Sequence, residues 1–193
     1  MYRNMNAPNL CTDRRGAIAV EFVFIMMFLI VFLVFFADLM VRQAMTGKLD
    51  RTAYSVASVL RERIQLFAGR EELQQNDVTK IKALARRMLL DMQTSADLSR
   101  LSLYVEEVHF VDPTGQNDNR KTVRLYRKWP AGEACMPKVP LDQLIDLSPR
   151  GSYGRWVPLY QVTVCLPTQS MYTRLTSEEE HPVMSSFAIV MAR

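Results

Sequence analysis

The sequence predicts an α+β protein: a single N-terminal membrane-spanning helix continues as a long helix, which packs with a second helix against a small antiparallel sheet. Three observations predict it. Phe22 to Ala37 is an unbroken run of 16 apolar residues. Apolar residues then recur at helical spacing from Leu49 to Ile64 and again from Val78 to Met92. Beyond Asp97 the pattern changes to short extended segments separated by Pro, Gly and Asn. With 193 residues, 49% hydrophobic and 23% charged, the chain can bury one or two small domains.

The apolar run sets the first element. Ala17 to Val41 contains only Glu21 and Asp38 as charges, and at about 1.5 Å per residue a helix over it outreaches a hydrocarbon core of about 30 Å. Leu49, Ala53, Val56, Ala57, Leu60 and Ile64 then form a stripe on a continuing helix that reaches about as far as Phe67. Gly47 predicts a bend or local loosening, because glycine costs about 1 kcal/mol against alanine inside a helix. Gly69 is a stop signal. From Asn76 a second amphipathic helix sets Val78, Ile81, Leu84, Ala85, Met88, Leu89 and Met92 on one side, the methionines serving as adaptable core.

Four strands follow. Leu101 to Val111 is the first, ended by the turn signal DPTGQNDN, and Thr122 to Trp129 alternates as the second. WPAGEACMPKVP, with three prolines, predicts a loop, Leu141 to Leu147 a short helical turn, and SPRGSYG a further loop. Val157 to Leu166 is β-branched and aromatic, and Phe187 to Met191 supplies the last strand. Consecutive strands after helices predict an antiparallel sheet packed on them. The long helix should meet it near Val105, Leu125, Val162 and Ile189.

Ahead of the apolar run, Arg3, Arg14 and Arg15 stand against Asp13, which predicts a cytoplasmic N-terminus and an exported C-terminal part. No small-residue cleavage site follows the run, and no apolar segment precedes Cys11 to support a lipoprotein signal. Cys135 and Cys165 form an even pair in the expected exported part, where a disulfide can form; the alternative is two buried thiols. The net charge of +4 is dispersed, with no run of Lys and Arg interleaved with aromatics, which argues against nucleic acid as a partner.

The residues that carry most information are Arg14, Arg15, Gly16 and Glu21. In RRGAIAVEF a glycine sits at the membrane boundary, and the fifth residue after it is an acid inside a segment that otherwise rejects charge. An ionisable group at that depth costs a few kcal/mol, which marks it as functional. This stretch resembles the type IV prepilin leader, a basic peptide ending in Gly, followed by an apolar helix with Glu at the fifth mature position. The resemblance implies cleavage between Gly16 and Ala17 by a membrane prepilin peptidase, a leader of residues 1–16, a transmembrane helix at 17–41 and a periplasmic α+β domain at 42–193. It also implies that Glu21 pairs with the Ala17 amine of a neighbouring subunit and so selects one register. AIAVEF is similar to the Tad (tight adherence, Flp) branch, whose major pilins are far shorter. GKLDRTAYSVASVLRER and QVTVC resemble the TadE/TadF pseudopilins, TadF above all. The implied role is a pseudopilin needed to assemble Tad pili for adherence and biofilm. The implied partners are the prepilin peptidase, other pilins, the inner-membrane assembly platform and the lipid bilayer. Asp38 marks the external headgroup boundary or packs against a neighbour's Arg42.

Nothing in the sequence points to an enzyme or a cofactor. His109 and His181 are the only histidines, neither in a metal-ligand spacing, and no phosphate loop, G-x-S-x-G or H-E-x-x-H occurs. Glu178, Glu179 and Glu180 read as a solvated loop. The competing class is a bitopic membrane protein whose external domain binds a partner or ligand, which leaves Gly16 with Glu21 without a reason.

Overall fold

The computed structural model describes residues 14–62, 72–92, 98–113, 120–133, 135–151, 154–167 and 183–192, with no account of the side chains of 14–17. Arg3, Cys11, Ile64, Phe67, Gly69, Glu178, Glu179, Glu180, His181 and the turn at 114–119 lie outside the described residues. The chain divides into two units, Met1–Arg42 and Gln43–Arg193, and helix α1, Arg14–Arg61, supplies residues to both.

In the first unit every residue from Ile18 to Ala37 is exposed. A helix apolar on all sides and covered on none suits hydrocarbon, and among the described residues this is the one helix long and apolar enough to cross a membrane. Its residues carry their own backbone hydrogen bonds, as a segment in lipid must.

In the second unit α1 becomes one-sided. Leu49, Ala53, Val56, Ala57 and Leu60 are fully buried, whereas Arg51 and Tyr54 face outward. The helix runs through Gly47 unbroken, so the expected loosening there is corrected: the helical ladder spans the glycine. Helix α2, Gln75–Met92, buries Val78, Ile81, Ala85 and Leu89. Its start is fixed locally. The Asp77 carboxylate accepts from the Gln74 N–H at 3.2 Å, the back-reaching half of a capping box, and an acid in the first turn complements the helix dipole.

Four antiparallel strands follow, β1 (Ser102–Phe110), β2 (Val123–Ala131), β3 (Leu159–Pro167) and β4 (Val183–Met191), in the order β2-β1-β3-β4. β1 and β3 are central and buried along nearly their whole length, while β2 and β4 are edges. Leu103, Val105, Tyr160, Val162 and Val164 lie on one face and share a core with both helices. The opposite face buries Val108 and Leu159 beneath the long β2–β3 connection, whose 3-10 segment Leu141–Leu147 supplies Leu141. The unit therefore has three layers, helices, sheet and connection.

The strands differ from expectation in three places. β2 continues through Trp129 and Pro130 to Ala131, and the proline is tolerated because β2 is an edge. β4 begins at Val183, four residues before Phe187, since pairing with β3 extends to Pro167↔Val183. Ile189 lies on the connection side, opposite Gln161, whereas Val105, Val162 and Ala188 form the helix-facing row. Leu125, opposite His109, stands on the helix-facing side but only half buried.

β2 ends at Gly132, where φ is +127° and a Cβ would lie 2.7 Å from the Ser102 hydroxyl, so only glycine makes this exit without strain. Three residues later Cys135 joins Cys165 of β3 in a disulfide, with Cα atoms 5.7 Å apart and a sequence separation of 30. A loop of that length corresponds to about 3–4 kcal/mol in the chain-entropy description. The bridge ties the connection to a central strand.

Candidate functional site

Two sites stand out, one at each end of the sequence argument. The first is the start of α1. Arg14, Arg15, Gly16 and Ala17 are all helical, and Glu21 follows one turn later, exposed. The two acids of the apolar segment differ. Asp38 accepts from Arg42 of its own helix at 3.0 Å, an i,i+4 pair. Glu21 has Ala17, Ile18, Phe24 and Ile25 at the positions three and four residues away, none of them able to compensate a charge. Among the described residues it makes no ion pair. A carboxylate so placed is compensated from outside the helix or not at all.

The second site is the polar interior of the sheet, which the sequence reading missed. Glu106 and Glu107 are consecutive on β1, so their side chains point to opposite faces, and both are buried, at 1% and 0% exposure. On the helix side the Glu107 carboxylate accepts from the Leu73 N–H at 3.0 Å and the Trp129 indole N–H at 3.2 Å. His109 lies 3.4 Å away with its ring edge-on to Tyr160. On the connection side Glu106 accepts from the Tyr126 hydroxyl at 2.5 Å and from the Leu141 N–H at 3.3 Å. Each carboxylate thus holds a residue of edge strand β2 and the backbone of an incoming segment, Leu73 before α2 or Leu141 at the 3-10 turn.

Electrostatics follow the donors. Burial pushes the Glu107 carboxyl up, but the hydrogen bonds from His109, the Leu73 N–H and Trp129, with the attraction of His109, outweigh it and hold the group below the usual carboxylate range. Burial, then the hydrogen bond to Glu106 and its negative charge, push the Tyr126 hydroxyl well above its ordinary value, so Tyr126 remains a donor.

These contacts make the two carboxylates struts between layers. Among the described residues no group of three His, Cys, Asp or Glu is arranged to hold a metal ion. A signal was available: VEEV places two acids in a row between Val105 and Val108, so with a period of two Glu107 shares the face of Val105 and Glu106 that of Val108.

A pH dependence follows from Glu107. Its native pKa lies below the ordinary 4.5, so its stabilising contribution is complete above that value and disappears as pH falls through the lowered one. In Glu107→Gln that part of the acid limb should vanish, with a loss of about 1–3 kcal/mol at neutral pH from the weakened acceptor. Melting temperatures between pH 6 and pH 3 measure it. An unchanged slope would assign acid sensitivity to other groups.

Comparison with known proteins bears on both sites. No curated protein and no solved structure matches the chain. A family model does, the one described as tight adherence pilin protein F, and it matches residues 9–193, which include the Gly16 to Glu21 stretch, the sheet and both cysteines of the disulfide. On that extent of agreement, the chain belongs to the TadF family of Tad pilus pilin-like proteins.

Proposed function

We propose that this chain is a pseudopilin, or minor pilin, needed to assemble the Tad pilus, made as a precursor and cut after Gly16 by a prepilin peptidase. Residues 1–16 are then a cytoplasmic leader, 17–41 the inner-membrane helix and 42–193 the periplasmic domain. The observation that carries the reading is Glu21, an exposed acid with no ion pair among the described residues, in a segment exposed on every side. The Ala17 amine released by the cut is a group that could compensate it, supplied by a neighbouring pilin. Membership of a pilin family supports the same role, as a structural subunit and not a catalyst. Its partners are the peptidase, other pilins of the machine and the inner-membrane assembly platform.

Processing is the decisive test. Intact mass or N-terminal sequencing of the membrane-extracted chain should find Ala17 first when the peptidase is present, and the precursor when it is absent. Gly16→Ala should slow or block the cut, since a methyl group is added at the scissile position. Retention of residues 1–16 in cells with an active peptidase would refute the proposal and favour a simple membrane anchor.

A further inference from the structure

We propose that β4 is a docking edge for a second copy of this chain, joining two sheets through an antiparallel β4–β4 pair centred on Phe187. The two edges of the sheet differ. β2 carries Arg124, Arg127, Lys128 and Pro130, and charges and proline are the devices by which an edge resists pairing. β4 runs nine residues, VMSSFAIVM, without a charge, proline or glycine. Among the described residues it pairs with β3 alone.

The backbone groups that remain outward can be identified. The Ala192 N–H donates to the Pro158 carbonyl at 3.0 Å, which makes that a hydrogen-bonded position of the β3–β4 ladder. Such positions alternate along an antiparallel pair, so Ser186, Ala188 and Val190 turn their N–H and C=O groups to β3. Val183, Ser185, Phe187, Ile189 and Met191 turn theirs away from it. The side chains of this same set stand on the connection face, where Val183, Phe187 and Met191 are 50%, 51% and 45% exposed.

That spacing is self-complementary. With a two-fold axis at Phe187, Phe187 faces its own copy and Val183 faces Met191 of the second chain, on both sides of the axis. All three exposed apolar side chains gain an apolar neighbour at once, and no like charges oppose one another. A register shifted by two residues leaves either Val183 or Met191 without a partner in the other β4. Such a contact also closes at two copies, whereas β4 laid on a neighbour's β2 would repeat without end and meet Arg124 and Arg127. The inference goes beyond the pilus role proposed above and stands on the sheet alone.

The test uses the full chain in detergent with Cys11→Ser, leaving Cys135 and Cys165 in place. Phe187→Cys should form a disulfide dimer under mild oxidation, because the Cα separation of about 5.5 Å in a hydrogen-bonded antiparallel pair lies within disulfide reach. Val123→Cys, exposed on the β2 edge, should lose that product. Phe187→Lys should weaken the dimer by about tenfold or more in sedimentation equilibrium, because two lysines would face each other across the axis, while the melting temperature stays near the parent's. Absence of the Phe187→Cys dimer, equal cross-linking from both edges, or a dimer indifferent to Phe187→Lys would each overturn the proposal. The last outcome would place the association in the membrane helices.

Discussion

Leu60→Asp is expected to unfold the Gln43–Arg193 unit at physiological temperature. Leu60 is fully buried in the core that α1 shares with α2 and the sheet. Removing a large aliphatic side chain from such a site forfeits roughly 1.5–3 kcal/mol, and an aspartate left there without a partner adds about 3–5 kcal/mol. Together these rival the whole stability of a domain of this size, about 5–15 kcal/mol. Circular dichroism of the full chain in detergent should show the loss of strand signal and of a cooperative melt, and cells should lack pili. Cleavage after Gly16 should continue, because the leader is read before the domain matters. Leu60→Met, which conserves volume, should cost less than about 1.5 kcal/mol. An aspartate variant that melts with the parent would refute the packing of α1 on the sheet.

Glu21→Ala should separate processing from assembly. Its charge has no counterpart among its helix neighbours, so on its own the residue is a cost of a few kcal/mol to membrane insertion. Removing it should leave the precursor cut and inserted at least as well as the parent, yet reduce surface pili to near absence, because the proposed register-setting pair with a neighbour's Ala17 amine would be lost. Glu21→Asp, shorter by one methylene, should recover part of the pilus count. Immunoblots for the cut form, read beside electron microscopy of the cell surface, make the comparison. Normal piliation of Glu21→Ala would show that subunits find their register by other contacts.

How far the residues alone revealed this fold depended on whether a feature was periodic. The stripes Leu49 to Leu60 and Val78 to Leu89 announce their helices because burial repeats with the helical turn, and the structure buries both. Val105 and Val162 were legible for the same reason with a period of two. Glu106 and Glu107 were not. A carboxylate in a strand reads as solvent-facing, and the groups that make its burial tolerable lie far off in sequence: Leu73 and Trp129 for Glu107, Leu141 and Tyr126 for Glu106. The helix-facing set was also misjudged at Ile189, because choosing between the two faces of an edge strand requires the register with β3, which no local pattern contains. Gly16 and Glu21 draw notice for the opposite reason, since both break the pattern around them.

The Ser186 hydroxyl of β4 donates to the Asp50 carboxylate of α1, a contact between residues 136 positions apart, and Val190 shares the core with Leu49. For a folding chain this means that the α1 part of the domain gains these contacts only when β4 docks. Until β4 docks, β3 is the outermost strand, and its LYQVTVCL sequence presents an uncharged edge to the surroundings. The interval between pairing of β3 with β1 and docking of β4 is therefore when a folding chain is most prone to aggregate.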